Sequence, residues 1–111
     1  MDKFQTELTD QILAFQKSRN WGQFHTGKDL AICLSVEANE LLELFLWKSE
    51  EEVDKVKLSD EIGDVIYSLV LLSHKFNIDI KEAFETKMLK NENKYPINKF
   101  FGSNKKYNDR H

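Results

Sequence analysis

One proline and four glycines are the main conformational breakers in 111 residues, and that scarcity restricts the chain to long, uninterrupted elements. Between them the apolar residues recur at three- and four-residue intervals, the period of an amphipathic helix rather than the alternation of a strand. The chain is therefore predicted to be all-α. A first helix is expected from Asp2 to Lys17, with Phe4, Leu8, Ile12 and Phe15 as its buried stripe. After the loop NWGQFHTGKD, Thr26 and Asp29 form a capping box for a second helix that runs to about Lys48. Ser49 and Glu52 repeat the capping pattern at the head of SEEEVDKVK, which reads as a short helix or as the first turns of the third. The third helix, Leu58 to Phe76, is apolar on more than one face through Ile62, Val65, Ile66, Leu69, Val70 and Leu72, and is expected to be central. Asp79 with Glu82 caps a fourth helix that buries Ile80, Ala83, Phe84 and Met88 and stops near Pro96, because a proline pushes the preceding Tyr95 out of helical geometry. The remainder, KFFGSNKKYNDRH, has no periodicity.

This length suits one domain, expected over residues 1–98, with an irregular tail over 99–111. The expected architecture is a four-helix-bundle-like subunit. Helices two and three are apolar around too much of their circumference for a small monomer, so a homodimer or a homotetramer built as a dimer of dimers is expected to cover the excess. Hydrophobic residues at 41% and charged residues at 32% describe a soluble globular chain. A formal net charge of -3 leaves no excess of cation for a nucleic-acid backbone, so a nucleic-acid polymer is not an expected partner. No apolar run approaches a membrane span, and the start MDKFQTELTD lacks the pattern of a signal peptide, so a cytoplasmic protein without membrane contact is expected. Cys33, the single cysteine, excludes an internal disulfide and a thiolate-rich zinc site; it reads as a small buried hydrophobe.

The second helix carries an anomaly. At about 100° per residue, Glu37 and Glu40 in LSVEANELLELFLW share a face with Leu30, Cys33, Leu41 and Leu44, while Ser35 and Asn39 point to the other side. An ionised carboxylate on an apolar face is costly unless it is paired, hydrogen-bonded or bound to a metal. The third helix repeats the oddity, for Glu61 and Asp64 are three apart and share a face with Val65 and Leu72. If the two helices pack side by side, four carboxylates meet. Their mutual repulsion is relieved either by protonation or by divalent cations, and an oxygen-only ligand set favours Mg²⁺ or Mn²⁺ over zinc. Di-iron carboxylate bundles use E-x-x-H motifs, and neither pair here contains histidine. Mg²⁺ is commonly held by carboxylates together with substrate phosphates, which points to a phosphorylated substrate.

Other residues suit such a substrate. Trp47, seven residues after Glu40, is expected on nearly the same face, and Trp21 and Phe24 lie in the loop before the helix. Each reads equally as a core or interface aromatic, yet beside a metal site such rings stack on nucleobases for roughly 1–3 kcal/mol. His25 suits a base or a phosphate; His74 has no implied role. Lys87, Asn91 and Lys94 fall at i, i+4 and i+7 on the fourth helix, two cations flanking an amide, a set that suits a polyphosphate.

Together these residues resemble the MazG-type all-α nucleoside triphosphate pyrophosphatases, most closely their dCTP pyrophosphatase branch. The family pattern E-x-x-E followed by E-x-x-D stands here as Glu37-Ala-Asn-Glu40 and Glu61-Ile-Gly-Asp64. NWGQFH, ELFLWKS, KMLKNENKYP and GSNKKY resemble the branch more specifically. The resemblance implies Mg²⁺-dependent hydrolysis of a nucleoside triphosphate to the monophosphate and pyrophosphate. It implies metal binding by Glu37, Glu40, Glu61 and Asp64, nucleotide contacts by Trp21, Gln23, Phe24, His25 and Trp47, and a phosphate-proximal role for Lys87, Asn91 and Lys94. A carboxylate not fully used by metal would be the general base, for which Glu40 is the first choice, beside Glu37. Two positions depart from the branch: Asn39 replaces a common glycine, and Ser68, on the acidic face, replaces a tyrosine, with Tyr67 beside it. Ser68 is thus expected to contact the substrate, and the departure bears on base and sugar selectivity rather than on the metal site. The expected substrate is dCTP or a modified deoxynucleotide. A dUTP-directed enzyme is the nearest alternative, and a non-catalytic bundle that binds structural cations or a partner is the alternative of another class.

Overall fold

The first three long helices begin where a short oxygen-bearing side chain satisfies otherwise free N–H groups. The structure is a computed structural model that describes residues 1–24 and 26–102, Phe24 by its backbone alone. Helix α1, Lys3–Lys17, is capped by Asp2, whose Oδ1 accepts from the N–H groups of Phe4 and Gln5 at 2.9 and 3.4 Å. Helix α2, Gly27–Glu43, opens on the expected capping box, with Asp29 N–H donating to Thr26 Oγ1 at 3.1 Å and Thr26 N–H to Asp29 Oδ2 at 3.5 Å. Helix α3, Lys55–Lys75, starts before the expected Leu58 because Asp54 accepts from the N–H groups of Val56 and Lys57 at 2.9 and 3.2 Å. The Ser49–Glu52 pair closes a separate 3₁₀ turn, Glu50–Glu52, cut off from α3 by extended backbone at Val53. Helix α4, Ile80–Lys94, ends before Pro96 as expected, and one further turn, α5, spans Ile97–Phe100 and takes in the first residues of the stretch expected to be irregular. The described residues contain no strand, so the all-α expectation holds. None of these helices is long and apolar enough to cross a membrane.

Helix α2 stops short of the expected Lys48. Hydrogen-bonded turns follow Glu43, and Trp47 takes a φ of 63°, a left-handed conformation that no right-handed helix accommodates. The apolar period of ELFLW runs on past the real end, so periodicity overestimates the helix. The left-handed residues after α1 and α3 are asparagines, Asn20 and Asn77, among the side chains that tolerate this conformation best. After α3 the result is a Schellman turn, with Ile78 N–H donating to Ser73 O at 2.8 Å and Asn77 N–H to His74 O at 3.1 Å.

The chain forms two compact units, Met1–Asp79 with α1 to α3 and a second from Ile80 onward with α4 and α5. In the first unit α3 is the hub: α2 packs along it and α1 docks on it. Ile12, Leu30, Val70 and Leu71 form the buried apolar core. The expected stripe of α1 is only partly right, because the buried face is Gln5, Thr9, Ile12 and Gln16, while Phe4 is 66% exposed and Phe15 is exposed as well. Local hydrogen bonds make a polar face buriable: Thr9 Oγ1 donates to Gln5 O at 2.8 Å and Gln5 Nε2 to Ile78 O at 2.9 Å. In the second unit Ala83, Phe84 and Met88 are exposed and Ile80 is half-buried, so the stripe expected there is not buried in the single chain. Among its described residues that unit adds one further turn, which gives α4 little of its own to pack against. Ile32, Val36 and Leu42 on α2 and Ile62, Ile66 and Leu69 on α3 are exposed too.

Leu30, 2% exposed, is the largest fully buried side chain among the described residues. Leu30→Ala is expected to lower the unfolding free energy by about 2–5 kcal/mol, measured by urea denaturation, with the helical circular dichroism of the folded state retained.

Candidate functional site

The register of α2 against α3 decides where the inward carboxylates go. Glu37 on α2 and Glu61 and Asp64 on α3 each bring one carboxylate oxygen within 4.8 Å of the other two. Glu40, one turn further along α2, is near enough for its charge to act on both Glu37 and Glu61. Three of the four carboxylates expected to meet, Glu37, Glu61 and Asp64, thus converge. Burial first, then the hydrogen bond and charge of Glu40, then the charges of Asp64 and Glu61, hold the Glu37 pKa above its ordinary 4.5. Glu61 is raised by burial and then by the charges of Glu40 and Asp64. Every charged neighbour that acts on these two groups is itself a carboxylate.

Two of these oxygens are left unsatisfied. Glu37 Oε2 and Glu61 Oε2 are buried and have no hydrogen-bond partner among the described residues. Orphaned buried oxygens, in a set containing no sulfur or imidazole, are the environment that a hard divalent cation fits. Glu37, Glu61 and Asp64 are the residues placed to hold it.

Beside the acids lies a cavity of about 470 Å³, into which Glu37 and Asp64 both project. Phe15, Trp21 and Tyr67 supply an aromatic wall, Ile12 and Cys33 add apolar surface, and Gln11 and Ser68 add polar groups. The wall is assembled locally. The left-handed Asn20 turns the chain after α1, and Trp21 N–H donates to Gln16 O at 3.0 Å, bringing the indole edge-on to Phe15 with ring centres 5.5 Å apart. The Arg19 guanidinium lies 3.9 Å from the Phe15 ring centre and donates to Phe15 O at 3.0 Å. Tyr67 meets Phe15 edge-on, with ring centres 6.3 Å apart.

The structure thus joins Trp21 and Ser68 to the carboxylates. Gln23, on a 3₁₀ turn Gly22–Phe24, is exposed, and its amide donates to Asn20 O at 3.0 Å. The side chain of Phe24 and all of His25 lie outside the described residues. Trp47 requires a correction: beyond the end of α2, it does not continue the Glu40 face and is 99% exposed. Cys33 also departs from expectation, being exposed. Four residues before Glu37, it shares the face that lines the cavity. In the second unit, the charge of Lys94, followed by desolvation and the charge of Lys90, holds the pKa of Lys87 below its ordinary value. Sequence reasoning missed Gln11 and the cavity-facing role of Phe15. Phe15 carries the helical period of a core residue, and no sequence pattern distinguishes a cavity wall from a core.

A model of the MazG-like family matches residues 32–109. Over 103 residues the chain is 36% identical to dCTP pyrophosphatase 1 of Mus musculus and 33% identical to that of Homo sapiens. These alignments cover 86% of this chain but only 61% of each relative, so the chain spans about three fifths of the length of the curated relatives it matches. A crystal structure of a pyrophosphatase from Archaeoglobus fulgidus is similar with a TM-score of 0.79 and 39% identity, covering 86% of this chain and 95% of that one.

The raised carboxylate pKa values have a definite sign. A group that binds its proton more tightly folded than unfolded opposes folding increasingly as pH climbs through and above 4.5. Glu61→Gln is therefore expected to melt close to the wild type near pH 4 and above it at pH 8, in chelator, by calorimetry. Greater wild-type stability at pH 8 in chelator would contradict the repulsion argued here.

Proposed function

We propose, from the premise that this chain belongs to the MazG-like family, that it is a nucleoside triphosphate pyrophosphohydrolase. Its substrate would be a deoxynucleoside triphosphate, with dCTP or a modified deoxynucleotide preferred, cleaved to the monophosphate and pyrophosphate in cytoplasmic clearance of the nucleotide pool. The observation that carries this reading is the juxtaposition of unpartnered carboxylates with an aromatic-walled cavity. A structural cation site would have no use for the cavity, and an apolar ligand would have no use for the acids.

The implied cofactor is Mg²⁺, with Mn²⁺ as a substitute. Glu37, Glu61 and Asp64 would hold it, with Glu40 adjoining, and when bound it supplies charge neutralisation on phosphate oxygens and acidifies water. The protein's own groups do the rest. Trp21, Phe15 and Tyr67 enclose the nucleoside by stacking and edge contact, exclude water and orient the triphosphate toward the acids. Glu40 lies outside the converging trio, yet its charge acts on Glu37 and Glu61, which suits its carboxylate to take the proton of the attacking water. Lys87, Asn91 and Lys94 form a cationic, hydrogen-bonding face matched to polyphosphate charge. Gln23, His25 and Phe24 remain proposed nucleotide contacts on the resemblance alone, as does Trp47. The exposed apolar side chains of α2, α3 and α4 support a homodimer or a dimer of dimers, since an assembly would cover them.

Pyrophosphate release from a panel of ribo- and deoxyribonucleoside triphosphates with Mg²⁺ tests the reading. Turnover of a deoxynucleotide is expected, with Glu40→Gln lowering kcat by about 10²–10⁴-fold. No turnover of any nucleotide with Mg²⁺ or Mn²⁺ would instead favour a cation-binding bundle.

A further inference from the structure

Resting on the nucleotide reading above, we propose that Tyr67, positioned by Gln16, selects among nucleobases by donating its phenol hydrogen to a carbonyl oxygen of the bound base. Gln16 is 4% exposed, and its Nε2 donates to the Tyr67 hydroxyl oxygen at 3.0 Å. With that oxygen accepting from the amide, the phenol hydrogen is left to donate elsewhere. Tyr67 lines the cavity, where an acceptor on a ligand meets it.

The geometry that holds this donor is shared with the aromatic wall. The backbone carbonyl of Gln16 accepts from Trp21 N–H at 3.0 Å while its side chain holds Tyr67, so one residue sets both. Phe15 touches both rings edge-on, and Arg19 lies over Phe15. A donor so restrained loses little conformational freedom on binding and discriminates by direction as well as by strength.

Ser68 adds a second hydroxyl to the cavity beside that of Tyr67. It is 4% exposed and lines the same cavity. Its hydroxyl can donate and accept, so it offers a polar group of the ligand a second partner in the cavity. Tyr67 and Ser68 follow Asp64 by three and four residues, one helical turn along α3, so the polar end of the cavity and the acids are set apart by the helix itself. A site that hydrogen-bonds a substrate group rejects analogues lacking it, because its own buried polar atoms are then left unpaired.

The test is calorimetric binding of the four deoxynucleoside 5′-monophosphates with Mg²⁺, so that it does not depend on turnover. The wild type is expected to prefer bases carrying a carbonyl over adenine. Tyr67→Phe keeps the ring and removes the donor; it should weaken carbonyl-bearing bases by up to about tenfold, the scale of one neutral hydrogen bond, and shift adenine by less than twofold. Gln16→Met is expected to reduce the same preference while leaving the phenol in place, an effect on the base ratio that mere loss of stability would not produce. Unchanged base ratios in Tyr67→Phe, a preference for adenine, or no binding of any monophosphate would each overturn the proposal. Pyrophosphate release reports separately on the hydrolase reading: turnover with an unaffected Tyr67→Phe base ratio removes this proposal alone, and a Tyr67-dependent preference without turnover removes the hydrolase alone.

Discussion

Uncompensated negative charge between α2 and α3 is the constraint around which the first unit is organised. Packing two amphipathic helices normally removes water from apolar surface and gains stability in proportion to the area buried. Here the same packing presses Glu37, Glu61 and Asp64 together, with two buried oxygens lacking any partner. The repulsion rises with ionisation, so the fold works against itself at neutral pH unless a cation enters. A protein-derived cation would relieve that strain permanently; carboxylates acting on one another leave the demand open for a metal and the phosphates it brings.

The cavity depends on a second, smaller device. Gln16 occupies a position on α1 where an apolar residue would pack as well, yet its backbone oxygen and amide hold Trp21 and Tyr67 respectively. Asn20 makes this possible by turning the chain into left-handed backbone directly after the helix. Had α1 simply frayed, the indole would have no fixed relation to Phe15. The aromatic wall is therefore a product of helix termination as much as of hydrophobic burial.

Much of this was legible in the sequence, for identifiable reasons. The Thr26–Asp29 capping box and the stop before Pro96 follow from local chemistry that tertiary contacts did not override. The meeting of Glu37 with Glu61 and Asp64 follows from helical spacing on two neighbouring helices. Three features were not legible. Apolar periodicity carries α2 through Trp47, although the backbone there is left-handed. The same periodicity selects Phe4 and Phe15 as the buried face of α1, although the polar set led by Gln5 and Gln16 is what docks, because its amides find partners 73 and 51 residues away. Cys33 reads as core from its residue type, yet the cavity that exposes it exists only once α1, α2 and α3 are assembled.

The most direct measurement is the anomalous scattering of crystals grown with Mn²⁺. A divalent cation is expected among the carboxylates of Glu37, Glu61 and Asp64, as a peak lost in Glu61→Gln crystals. Well-ordered crystals with no peak at that position, at saturating Mn²⁺ and with a triphosphate analogue present, would contradict the claim that the inward carboxylates exist to hold a metal.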